Sequence, residues 1–130
     1  MTNPNKLSKT KGLPPGTPVY TGDKENTSCH MEIFIFDEQG FEYYESKTWS
    51  EIKNKIQPHK TNWINIDSIS NIALVEQISS HFGFHALLIE DVLSVGMLPK
   101  MDEYDEHLLF TIKMLSVAKE KGKIIKEQVS

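Results

Sequence analysis

An α/β fold, with a mixed β-sheet and flanking helices, is what the sequence predicts, and three observations predict it. Two β-rich runs, "HMEIFIFD" and "GFEYYES", are separated by the turn-forming "DEQG", a strong hairpin signal. A pair of capped helical patterns follows between residues 70 and 95. Strand-like runs then resume at "KMDEY" and "HLLFTIKMLSV".

The elements can be justified in order. Residues 1–11 read as a flexible polar tail, and 12–130 as one α/β domain, within the usual size range. "GLPPGTPVYTG" is fixed by Pro and Gly, with "VY" at most a short edge strand. In the first β-run Met31, Ile33 and Ile35 share one face, and Phe34 and Phe36 lie opposite. "TWSEIKNKI" suits a short helix with Thr48 as N-cap and Glu51 completing a capping box, stopped by Pro58. "TNWINID" is a strand. Ser70 is placed to cap "NIALVEQISSHFG", where Ile72, Val75, Ile78 and Phe82 form one stripe and Gly83 closes the helix. A second helix covers about His85–Val95 and ends at Gly96, with Pro99 just beyond. "AKEKGK" makes a turn and "IIKEQVS" starts a strand that meets the chain end, which leads us to expect a piece of something longer. Trp49 and Trp63 are expected in the core or at its edge.

Composition narrows the function classes. The apolar and charged shares, 38% and 25%, are those of a globular chain. No run reaches the eighteen or so apolar residues of a membrane helix, and the N-terminus has no secretory pattern. The single cysteine, Cys29, suits a reducing compartment and is read as a bystander. All fourteen basic residues are Lys. Without an Arg fork for phosphate or a guanine edge, nucleic acid is not an expected partner.

The charge is unevenly spread. From Asp67 to Glu106 eight acids (Asp67, Glu76, Glu90, Asp91, Asp102, Glu103, Asp105, Glu106) face Lys100 alone, a balance of −7. From His107 onward five Lys face two Glu, a balance of +3. The middle of the chain is set to attract cations.

Within "HFGFHALLIEDVLSVGMLPK" the adjacent acids Glu90 and Asp91 lie on an otherwise apolar helix, with no evident basic partner. Leu87 lies between them on the exposed side, so Leu87, Glu90 and Asp91 form a surface apt for contact. Successive helix positions diverge by about 100°, so the two acids are not expected to chelate one ion together. Each would complete a site with oxygens from elsewhere, an arrangement that suits Mg2+, which keeps most of its waters and takes one or two carboxylates. A solvated helix face is the plainer alternative, and the residues alone leave both open.

Other candidates are weaker. His81 and His85 have metal-ligand spacing, but Gly83 breaks the helix between them, so His85 is better read as a cap. "DEYDEH" lacks a calcium-loop pattern. No nucleophile elbow, phosphate loop or Cys–His pairing is present, and no enzymatic role is expected.

"KGLPPGTPVYTG", "TNWINID", "HFGFHALLIEDVLSVGMLPKMDEY" and "LLFTIKML" resemble, in order and spacing, the amino-terminal cytoplasmic domain of the CorA family of magnesium transporters. The resemblance runs from about Lys11 to Ser130. It implies an α/β/α soluble domain truncated before a stalk helix. It also implies a homopentameric divalent-cation channel, for Mg2+ with Co2+ and Ni2+ as alternatives, anchored in the inner membrane with this domain on the cytoplasmic side. It assigns Asp91 to a regulatory Mg2+ site between identical subunits and Glu90 to a second site nearby, with partner acids on the stalk, so Mg2+ is expected to bind weakly or not at all to this portion alone. The chain departs from the family at His85-Ala86-Leu87, where relatives often have His-Pro-Leu. It departs again at Gly96, where a His sometimes joins the second site, and this weakens the case for Glu90. The alternative from another class is a stand-alone cytosolic interaction module using the Leu87, Glu90 and Asp91 face.

Overall fold

The structure, a computed structural model, describes residues 9–23, 28–104, 106–117 and 122–130. The chain divides into two compact units, Asp23–Phe82 and Met1–Gly22 with Gly83–Ser130. Each is described by itself.

The first unit is built on the hairpin. Strand β1 (Met31–Phe36) pairs antiparallel with β2 (Phe41–Ser46) and with β3 (Thr61–Ile66), giving the order β2-β1-β3. Asp37 Oδ1 closes the turn by accepting from the backbone N–H of Gln39 and Gly40 at 2.8 and 3.0 Å. Met31, Ile33 and Ile35 have no exposed surface, and each contributes about 1.5–3 kcal/mol through burial. The opposite face is open. There Phe34 contacts the rings of Phe41, Tyr43 and Trp63. Trp63, expected in or near the core, is 65% exposed, because β3 turns Ile64 and Ile66 inward and Trp63 outward with Thr61 and Asn65.

Helix α1 (Trp49–Lys53) follows β2. Thr48 is its N-cap but makes no side-chain cap bond. The work passes to Ser46, whose Oγ accepts from Thr48 N at 3.0 Å while its hydroxyl donates to Glu51. Helix α2 (Ile72–Phe82) buries Leu74, Val75 and Ile78. In its first turn Asn71 Oδ1 accepts from Leu74 N at 3.2 Å. Trp49 is buried and packs on His81 and Phe82. Cys29 is a buried free thiol.

The second unit holds helix α3 (Ala86–Leu93) and the antiparallel sheet β4 (Lys100–Tyr104), β5 (His107–Val117), β6 (Ile124–Val129), in that order. Gly83, at φ +69°, ends α2 in the left-handed conformation a closing glycine supplies. His85 caps α3 through Nδ1, which accepts from Leu87 N at 3.2 Å, as the sequence reading expected. "VY" forms no strand. Its segment instead runs along α3, with Thr21 N donating to Leu93 O at 3.2 Å and Thr21 Oγ1 accepting from Val95 N at 2.8 Å. The α/β class stands, with the strands divided between two antiparallel sheets. Most of the expected tail and turn, residues 1–8 and 118–121, lies outside the described residues.

Candidate cation site on the third helix

Helix α3 turns its two adjacent acids in different directions, as a 100° step requires. Ala86, Glu90 and Leu93 share the face along which residues 16–21 run. Glu90 Oε2 accepts from the backbone N–H of Gly16 at 2.7 Å. At Gly16, with φ +80°, an added Cβ would sit 2.9 Å from that of Ala86, so only glycine allows this approach. Glu90 therefore braces the amino-terminal segment.

Asp91 faces β4. Its Oδ2 accepts from Lys100 Nζ at 2.7 Å and from Tyr104 Oη at 2.8 Å, and Oδ1 takes part in neither bond. Lys100 also lies 2.6 Å from Asp102 Oδ2. That oxygen is buried, and the Lys100 ammonium is its ion-pair neighbour. Lys100 and Tyr104 are four apart on one strand with Asp102 between them, and the alternation of side chains sets all three on one face. The ring of His85 stacks on Tyr104 with centroids 5.9 Å apart. Burial, then the bond to Asp91, pushes the Tyr104 phenol up to about 12. Burial works against the Lys100 ammonium, but Asp102 and Asp91 outweigh it and the net shift is upward.

The expectation of two acids with no basic partner is thus corrected for Asp91. Asp91 has a cation nine residues on in sequence, and Glu90 has a backbone donor. Leu87 stays exposed, as the sequence reading placed it.

The donor set fits a hard divalent ion. Asp91 and Asp102 present carboxylate oxygens, the ligand type Mg2+ takes, and both already converge on one positive charge. Asp91 and Asp102 would hold such an ion, which would supply charge neutralisation and oriented water. At Gly96 no side chain is available. Its N–H donates to Gln128 Oε1 at 2.9 Å, beside Met97 N at 3.0 Å, while Gln128 Nε2 donates to Ser94 O. Gln128 thus fixes the loop after α3.

His81 and His85 each have a structural partner, Trp49 and Leu87 N respectively. One other group of ligand-type atoms lies in the first unit, where His30, Glu32 and Asp67 come within 4.8 Å of one another. No spacing in the sequence signals it, because strand register brings the residues together. Its members are already engaged. Glu32 accepts from Asn65 and Tyr43, bonds that hold its carboxyl below the usual range. His30 lies 3.4 Å from Glu45 and 3.6 Å from Asp67.

An α/β chain with an acidic, cation-facing helix is the class that fold and site define. No family model matches the chain. Over 125 residues it is 31% identical to the cobalt/magnesium transport protein CorA of Thermotoga maritima, a match covering 96% of this chain and 35% of that protein. The resemblance to the CorA family carried by the four motifs therefore extends over nearly the whole chain, which spans about a third of the length of the curated relative it matches. Among the described residues, no helix is long and apolar enough to cross a membrane.

Proposed function

We propose that this chain is the cytosolic regulatory portion of a CorA-type divalent-cation channel, one that senses intracellular Mg2+ and gates transport of Mg2+, with Co2+ and Ni2+ as alternative cargo. The observation that carries the reading is the carboxylate of Asp91, held on α3 in a stretch of matched sequence and supplied with a cation in this chain. In the intact protein, a homopentamer anchored in the inner membrane, Asp91 faces a seam between identical subunits. Carboxylates drawn together there repel by a few kcal/mol at about 4 Å with an effective dielectric near 20. Neutralised by a divalent ion, they favour the joined subunits and the closed pore. Left bare when the ion is scarce, they loosen the ring. Such regulation is a difference in ion affinity between two states. Glu90, bound to Gly16, is the weaker ligand. The role is regulatory, with no catalysis.

The test is Asp91→Ala in the longer protein. Conduction should lose its dependence on internal Mg2+, and unchanged dependence would refute the mechanism. The exposed Leu87 favours the other reading, a stand-alone interaction module. The downstream reading frame separates them, since two apolar helices with a Gly-Met-Asn signature support the channel and a stop codon supports the module.

A further inference from the structure

We propose that Lys100 is a built-in competitor for the divalent ion at Asp91, and that the ion binds by exchange with its ammonium. This rests on the reading of Asp91 as a cation site. Two observations carry it. The ammonium already sits where a bridging ion would, 2.7 Å from Asp91 Oδ2 and 2.6 Å from Asp102 Oδ2. Lys100 is also the one basic residue between Asp67 and Glu106, where eight acids are found, and it lies on the acid that the motifs single out.

The chemistry of Lys suits exchange. Its ammonium is a compact, strongly hydrated point charge on a flexible stem. With a side-chain exposure of 28%, it can swing into water while a hydrated divalent ion takes its place. Tyr104 keeps Asp91 oriented throughout, since its hydroxyl donates to the same oxygen. Asp102, whose buried oxygen lies against the ammonium, becomes the second carboxylate of the site. The exchange lowers apparent ion affinity by the fraction of molecules in which Lys100 is docked. The site then answers to abundant ion and ignores traces. With the ion absent, Lys100 offsets only part of the negative charge of Asp91 and Asp102, and the remainder is what repels across the seam.

The experiment is calorimetric titration of the 130-residue chain with MgCl2, and separately with CoCl2, at fixed ionic strength set with KCl. Wild type is compared with Lys100→Met, Lys100→Gln, Asp91→Asn and the double variant Asp91→Asn/Lys100→Met. Removing the competitor should tighten apparent affinity about two- to fivefold, and the gain should vanish in the double variant. In parallel, the Lys100 ammonium resonance of the wild type, followed by NMR, should move to its solvent-exposed position as Mg2+ saturates. The Gln variant covers the case in which Met at this edge-strand position fails to fold. Equal affinity in wild type and both Lys100 variants, with binding lost in Asp91→Asn, overturns the exchange and leaves the cation site standing. Absence of binding in every variant, or binding untouched by Asp91→Asn, overturns the exchange and Asp102 as second carboxylate. The reading of Asp91 as a site between subunits stands or falls with Asp91→Ala in the longer protein.

Discussion

Replacing Asp91 with Asn removes one negative charge and little else, which makes it the sharpest probe of the network on α3. In the wild type, Oδ2 accepts from Lys100 and Tyr104. Hydrogen bonds to ionised groups contribute about 1.5–3 kcal/mol when shielded. Exposures of 21% at Asp91 and 28% at Lys100 allow water to screen the ion pair toward about 1 kcal/mol. The amide oxygen can still accept from Tyr104, and Lys100 keeps Asp102, so the expected loss is about 1–2 kcal/mol. In a chain of this size each kcal/mol lowers Tm by about 3–5 °C. Urea unfolding followed by circular dichroism, in buffer with EDTA, measures the difference without any divalent ion. Ultraviolet titration, with the trace of a matching Tyr104→Phe variant subtracted, reads this one phenol among the four tyrosines. The Tyr104 phenol, at about 12, should titrate lower once Asp91 is neutral, although burial keeps it above its ordinary value. A variant as stable as the wild type, with Tyr104 titrating unchanged, would show that Asp91 does not hold β4, and the description of this site would be wrong.

Two further perturbations test neighbouring features. Gly16→Ala places a Cβ against Ala86 at a backbone angle that favours glycine, and should cost about 1–3 kcal/mol in urea unfolding. Glu90→Gln, which keeps an acceptor for Gly16 N, should cost less. Alkaline pH should also destabilise the chain. The Tyr104 phenol is raised from 10.0 to about 12 and the Lys100 ammonium is raised from 10.5, so both favour the protonated form when folded. Their contribution is fully present below pH 10 and is lost as pH rises toward 12. Urea midpoints should hold between pH 9 and 10 and fall by pH 11, and Tyr104→Phe should reduce the fall.

Much of the fold was legible because local rules set it. The "DEQG" turn, the glycine after Phe82 and the His85 cap each act within a few residues of themselves, and each stands where the sequence places it. What escaped depends on partners distant in sequence. Alternation in "TNWINI" separates two faces but does not say which is covered, and Trp63 is on the open one. Ser70 and Asn71 both suit an N-cap, and the bond from Asn71 to Leu74 N is one that the spacing alone does not single out. The divergence of Glu90 and Asp91 follows from helical pitch alone and was readable. Their partners were not, since Gly16 and Lys100 are reached through a Pro-rich segment and a helix-to-strand turn that no spacing rule covers. The Asp91–Lys100 pair could have been sought from charge alone, because Lys100 is the one base among eight acids.

On the second sheet, β5 points Leu108, Phe110, Ile112 and Met114 to one side, with Met101 and Val129 at neighbouring register, and all six are exposed. A fluorescent reporter such as ANS, which lights up on greasy surfaces, should therefore glow with the properly folded chain. In this protein that signal cannot be taken for the loosened, liquid-cored state it usually announces. Anyone judging the quality of a preparation should rely on near-ultraviolet dichroism from Trp49 instead.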